Sequence, residues 1–323
     1  MRRVVCEAFG DPLALRVVEE PTPWPGPGEV LIEPAAVSAS FVDGLVVRGA
    51  YQVRPPLPFT PGTCVAGRVA AVGDGVETPP VGTTVAAVLS HFGGYTSHIV
   101  VPAEVAVPVP GAVSVDVAAA MESYLTLAFA TTHRITIEAG DHVVVLGASG
   151  GIGSAAVDTA RSLGAHVIAV ASTEDKRAAA KETGADVVLG YDNLKDDIRT
   201  ATDGGADVVI DPVGGPAAES ALRALAPGGR FCVLGFASGD IPRLPSNIVL
   251  LRNRSVIGID WGHWSREAGG TPGNAKLLAD VLANVARGRL HPGQPSTAPL
   301  TDAGRVLQLF GERRAVGRYV LHP

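Results

Sequence analysis

Val143-Val144-Val145-Leu146-Gly147-Ala148-Ser149-Gly150-Gly151-Ile152-Gly153 decides the fold of this chain. Its first four residues are apolar and mostly β-branched, which predicts a strand buried on both faces of a parallel sheet. The glycines predict a tight turn, and the run from Ser154 to Arg161 predicts a helix after it. Strand, glycine turn and helix is the arrangement by which an open α/β sheet binds a pyrophosphate. Small residues let the backbone approach the phosphates, and the helix N-terminus offers N–H groups and partial positive charge.

Strands and helices alternate on the C-terminal side of this stretch. His166–Val170, Asp186–Leu189, Asp207–Ile210, Phe231–Leu234 and Ser255–Asp260 read as further strands. Glu174 to Thr183, Lys195 to Thr202 and Ala217 to Leu225 read as helices between them. Six strands with crossover helices predict a doubly wound sheet. On the N-terminal side, up to about Pro110, short strands are broken by Pro and Gly, which predicts a β-rich, barrel-like unit. The character changes near Ser114, the expected N-cap of a helical stretch that Ser114 to Glu122 begin. Beyond Trp261, helices over Asn274–Arg287 and Asp302–Phe310 precede a closing strand, Gly317–Leu321, expected to return to the N-terminal unit. The expected division is therefore 1–117, completed by 261–323, and 118–260.

Composition narrows the function. With 26 basic and 32 acidic residues the net charge is −6, and no basic block suggests nucleic acid. Three widely spaced cysteines, Cys6, Cys64 and Cys232, fit reduced thiols rather than a disulfide framework. The first residues have no long apolar run, and no uninterrupted stretch is long enough to span a bilayer. A soluble, cytoplasmic protein is expected.

Three chemistries compete for the glycine turn. Gly147-Ala148-Ser149-Gly150-Gly151 fits the hydrolase elbow G-x-S-x-G, with Asp211 and His263 as conceivable partners. The added Gly153 suits phosphate better. Tyr191 and Lys195 match the Y-x-x-x-K spacing of short-chain dehydrogenases, but they come too early, and a whole β-rich unit precedes the turn. The dinucleotide reading is tested at the end of the second strand, where an NAD site places a carboxylate. Here stand Ala171-Ser172-Thr173, with Lys176 and Arg177 one turn on. A hydroxyl and two cations, with no carboxylate to repel it, suit a 2′-phosphate and hence NADP(H).

Several segments together extend the reading: Tyr51 to Gly62, Gly147 to Gly153, Asp211-Pro212-Val213-Gly214-Gly215, Leu225 to Arg230 and Asn253 to Gly258. On these the chain resembles the zinc-independent NADPH:quinone oxidoreductases of the medium-chain dehydrogenase/reductase superfamily. The resemblance implies an α/β protein with a GroES-like β-barrel catalytic domain and a Rossmann domain, the active site lying in the cleft between them. It places Ser149, Gly150, Gly151 and Ile152 on the pyrophosphate, and Ser172, Lys176 and Tyr191 on the adenosine 2′-phosphate. Gly235, Phe236, Trp261 and Thr126 are placed near the nicotinamide, and Tyr51 in the substrate site. Relatives often carry Asn where this chain has Ser40, before Phe41-Val42-Asp43. The implied reaction is hydride transfer from NADPH to a quinone or an α,β-unsaturated carbonyl, with Tyr51 first and Ser40 second as the polar contact to substrate oxygen. A pathway-specific enone or enoyl reductase and a non-catalytic NADPH-binding sensor are the alternatives. Zinc-dependent relatives carry a Gly-His-Glu where this chain has Gly62-Thr63-Cys64, so no metal is expected. His91 and His263, beside expected cleft segments, are read as surface residues. Pairing of two copies through Ser255–Asp260 is expected from relatives that are homodimers.

Overall fold

The computed structural model describes residues 1–267 and 270–323. The chain opens with β1 (Arg2–Val5), β2 (Arg16–Glu19), β3 (Glu29–Ala39) and α1 (Phe41–Val47). Four strands follow, β4 (Cys64–Val72), β5 (Thr84–Val88), β6 (Ile99–Pro102) and β7 (Val107–Pro108). Then come α2 (Val115–Ala119), α3 (Glu122–Phe129), β8 (His142–Leu146), α4 (Gly151–Ser162) and β9 (His166–Val170). The alternation continues through α5 (Glu174–Glu182), β10 (Val187–Leu189), α6 (Leu194–Ala201), β11 (Ala206–Asp211) and α7 (Pro216–Arg223). After β12 (Leu225–Val233) lie α8 (Ser246–Leu250), β13 (Ser255–Gly258), α9 (Trp261–Arg266) and α10 (Gly270–Ala286). The chain closes with β14 (Ser296–Pro299), α11 (Ala303–Gly311) and β15 (Tyr319–His322).

Two compact units result: Met1–Leu125 with Gly262–Gly288 and Gly293–Pro323, and Thr126–Trp261 with Arg289–Pro292. The first is built on a sheet ordered β14-β15-β3-β4-β5-β7, with β6 also pairing to β3. The tail enters this sheet directly, because β15 runs antiparallel to β3, matching Val320 to Ser38. Its core gathers Val30, Ile32, Val37, Val65, Val69 and Val85, the inward residues of alternating strands.

The second unit holds a parallel sheet ordered β10-β9-β8-β11-β12-β13. Val143 to Leu146 are all fully buried, as a strand covered on both faces requires. The order reverses beside β8, which has β9 on one side and β11 on the other. A ligand crevice is expected outside the carboxyl ends of strands at such a switch point.

Three local readings change. The helical stretch expected to begin over Ser114 to Glu122 is broken into two helices. Ser114 does cap α2, accepting from the Val117 N–H, but Ala120 leaves helical geometry (φ −87°, ψ 23°). Glu122 therefore opens α3 after the break. Second, α1 has no counterpart among the expected elements, although Ser40 and Asp43 form a reciprocal capping box at its start. Third, α10 begins at Gly270, four residues before Asn274.

Candidate functional site

In the second unit the site is built from turns. Gly147 ends β8 in the left-handed region (φ 61°), and a Cβ there would lie 2.7 Å from a methyl of Val213. Gly153 has no such freedom to exploit; it is needed for space. A Cβ at Gly153 would fall 2.1 Å from the Gly147 carbonyl oxygen and 2.6 Å from Ala148 Cα. Only glycine lets α4 start so close beneath the turn. No side chain caps α4 at Gly150, so its first N–H groups are presented to whatever the turn cradles. These features fit a pyrophosphate.

The neighbouring turns close on this one. The Gly147 N–H donates to the Tyr191 phenol oxygen at 3.0 Å, bringing the loop after β10 against the glycine turn. Burial pushes the Tyr191 phenol above its ordinary range. Asp211 ends β11 buried, and one of its oxygens accepts from the Val213 and Gly214 N–H groups at 2.8 Å each. Gly214 and Gly215 both hold positive φ there. The loop after β12 is laced to it: the Ala237 N–H donates to the Pro212 carbonyl and the Ser238 N–H to that of Val213. Gly235 lies against Pro212, and the exposed ring of Phe236 lies beside Gly214.

The end of β9 is as expected in composition. Thr173 caps α5, accepting from the Lys176 N–H, while Ser172 is exposed and Lys176 half-buried. Arg177 reaches back to donate to the Ala171 carbonyl, so its guanidinium is held at the strand end. Tyr191 and Lys195, the coincidental short-chain pair, are separately engaged; Lys195 pairs with Asp196 at 3.2 Å. Thr126 lies within α3 and Trp261 opens α9 after β13; neither belongs to the cluster of turns described above. His91 and His263 are exposed.

The first unit contains a pocket of titratable groups that sequence reasoning did not assemble. Asp43, 1% exposed, accepts from the Ser40 N–H at 2.9 Å, the Ser40 hydroxyl at 3.0 Å and the Tyr95 hydroxyl at 3.2 Å on one oxygen. Its other oxygen accepts from the Gly62 N–H at 3.2 Å. Burial pushes the Asp43 carboxyl up despite these bonds. Glu122 is pushed up as well, first by burial and then by the Asp43 charge, while the hydroxyls of Ser40, Thr63 and Ser38 pull it down. Burial and the Glu122 charge hold the Cys64 thiol up at about 12, so it is no nucleophile at neutral pH. Tyr51 is half-buried and packs against the apolar core of this unit. The legible signal for the pocket was Ser40-x-x-Asp43; nothing in spacing pointed to Glu122. Among the described residues no three His, Cys, Asp or Glu side chains gather as metal ligands.

Comparison with known proteins agrees with both halves of the chain. Residues 26–111 match the alcohol dehydrogenase GroES-like domain and residues 151–271 the zinc-binding dehydrogenase domain. The quinone oxidoreductase-like protein 2 of Rattus norvegicus is 34% identical over 99% of this chain and 91% of its own length. The homolog from Nematostella vectensis is 33% identical over 99% of this chain and 88% of its own length. Among solved structures, a mycobacterial protein complexed with NADPH superposes with a TM-score of 0.89 at 30% identity, covering 100% of both chains. The Escherichia coli quinone oxidoreductase complexed with NADPH gives 0.89 at 26% identity, again over 100% of both. The chain belongs to the quinone oxidoreductase family of the medium-chain dehydrogenase/reductase superfamily.

Proposed function

We propose that this chain is a zinc-independent reductase that passes hydride from NADPH to a quinone or an α,β-unsaturated carbonyl. The observation that carries this reading is the carboxyl end of the parallel sheet, where turns after β8, β10, β11 and β12 close around an uncapped helix start. Ser149, Gly150, Gly151 and Ile152 hold the pyrophosphate there. Ser172 and Lys176 meet the 2′-phosphate, with Tyr191 completing that end. Arg177 adds a second cation, and no carboxylate stands at the end of β9 to select a free 2′-hydroxyl. Gly235, Phe236, Thr126 and Trp261 border the nicotinamide.

NADPH, when bound, supplies the hydride. The residues of the chain orient the reacting carbons and exclude water, and geometry supplies most of the rate. Tyr51 donates a hydrogen bond to the substrate oxygen, on which charge grows as hydride arrives. Ser40 ranks behind it because its hydroxyl already serves Asp43. Relatives named as quinone oxidoreductases support the substrate class. The protein acts in the cytoplasm as a homodimer. Its pairing surface is β13, the edge of the parallel sheet, where Val256 is 41% exposed.

The deciding experiment is fluorescence titration with NADPH and NADH, followed by turnover with a simple quinone and a simple enone. Tighter NADPH binding with turnover is expected. Preference for NADH would sink the 2′-phosphate assignment, and binding without turnover would favour a sensing role. A monomer in sedimentation would remove the pairing through β13.

A further inference from the structure

The amino end of the parallel sheet, opposite the coenzyme seat, carries a group of arginines that the proposed reaction does not use. Arg199 lies in the last turn of α6, Arg223 in the last turn of α7, and Arg252 and Arg254 in the turn leading into β13. Two of the heads meet at one atom. The Arg223 carbonyl oxygen accepts from Arg199 Nη2 at 3.3 Å and from Arg254 Nη2 at 3.4 Å. The same Arg254 nitrogen donates to the Leu225 carbonyl at the start of β12. Cations are favourable at the C-terminal end of a helix, which accounts for the Nη2 atoms. The rest of both heads is unanswered. Arg199 Nε and Arg254 Nε are buried with no hydrogen-bond partner, and Arg254 as a whole is only 8% exposed. Buried N–H groups in folded proteins are nearly always satisfied, by protein, water or an ion.

The charge is unanswered too. The carboxylate on this group, Glu219, is held by Arg223 at 2.6 Å. Among the described residues Arg199, Arg252 and Arg254 have no carboxylate in ion-pair contact. Burial, and then the charges of Arg252, Arg199 and Arg223, hold the Arg254 guanidinium below its ordinary range. Solvent reaches the group, because Arg252 and Asn253 are exposed and Arg199 and Arg223 half-buried. The turn itself is fixed: the Arg252 carbonyl accepts from the Gly228 N–H at 2.8 Å, and the Arg254 N–H donates to the Val249 carbonyl at 3.0 Å.

We infer that these arginines form a second anion site, for a phosphate-type oxyanion, separate from the coenzyme seat. Forked heads arriving from α6 and from the turn before β13 suit a tetrahedral anion, whose several oxygens can each accept from a different head. A carboxylate, with two oxygens in one plane, serves fewer of them. The anion meets Arg252 and Arg199 on the solvent side and offsets the charge beside Arg254. It ties the turn before β13 to the end of α6. The inference stands independently of the reductase reading.

Thermal unfolding of the NADPH-saturated protein tests it, since the coenzyme seat is then filled. Inorganic phosphate is compared with chloride at equal ionic strength. Phosphate should raise the melting temperature by about 3 °C. In Arg252→Ala and in Arg199→Gln that rise should be at least halved, while both variants still bind NADPH. Glycerol phosphate acting as well as inorganic phosphate would make the ligand a phosphate ester; inorganic phosphate acting alone would make it the free ion. No phosphate-specific rise in the wild type overturns the inference, and so does a rise that both variants keep in full. Should Arg199→Gln fail to fold, Arg252→Ala, at an exposed position, decides alone. A wild-type protein that binds no NADPH would undo the coenzyme assignment, and the phosphate response of wild type against Arg252→Ala would still read the second site.

Discussion

At the carboxyl end of the parallel sheet the working groups are backbone amides, and the side chains around them are chosen for absence. Gly147 and Gly153 matter because a Cβ would strike a Val213 methyl at the first and the Gly147 carbonyl at the second. Inside the first unit the reverse holds. Asp43, Glu122, Tyr95 and Cys64 matter for what they carry, and the environment raises every one of their pKa values. A backbone site is specified by a run of neighbouring residues. A side-chain pocket is specified by residues that the fold collects from α1, β4, α3 and the loop at Tyr95.

The largest effect should come from attacking the backbone site sterically. Gly153→Ala puts a methyl 2.1 Å from a carbonyl oxygen, so the start of α4 must move. The expected cost is about 3 kcal/mol of stability, read by urea unfolding, with NADPH binding lost in the folded fraction. A variant as stable as wild type would show that the turn can relax, and the contrast with the acid pocket would weaken.

The acid pocket should break by pH instead. The folded pKa of Glu122 lies above its ordinary value, so the unfolded chain gives up that proton first. Stability is therefore full below the ordinary carboxylate range and falls as pH rises toward about 8. The slope in that window is about 1.4 kcal/mol per pH unit for one such group. Glu122→Gln should flatten it, as thermal melts across the range would show. An equal slope in the variant would place the titration elsewhere.

Affinity sharpens the contrast next. Lys176→Ala should weaken NADPH by about tenfold and leave NADH nearly unchanged, because one charge-assisted phosphate contact is removed. Equal losses for both coenzymes would detach Lys176 from the 2′-phosphate. The smallest effect is expected of Tyr51→Phe, a few-fold fall in kcat from one lost neutral hydrogen bond of about 1 kcal/mol. NADPH affinity should hold. No change in rate would leave Tyr51 as the core-packing aromatic that its contacts describe.

The same contrast governs which parts of the molecule its sequence displays. The glycine turn, the six strands and the cations after β9 are local patterns, with chemistry and geometry written in adjacent residues. Asp43 stood in view as part of Ser40-x-x-Asp43, yet its partners Gly62 and Tyr95 lie 19 and 52 residues away. Glu122 was hidden for a different reason. Its neighbours read as one helical stretch begun at Ser114, whereas the break at Ala120 makes Glu122 the start of a second helix. Helical periodicity does not register a two-residue break among small and buried residues such as Ala119, Ala120 and Met121.

The uncapped turn at Gly147–Gly150 has a consequence for descent. A contact made through amide N–H groups is indifferent to side-chain identity, so long as the space stays empty. Lineages can then exchange much of their surface and core while the coenzyme seat persists. Where the space is already filled the tolerance ends: a Cβ at Gly147 meets a Val213 methyl at 2.7 Å, and one at Gly153 a carbonyl oxygen at 2.1 Å.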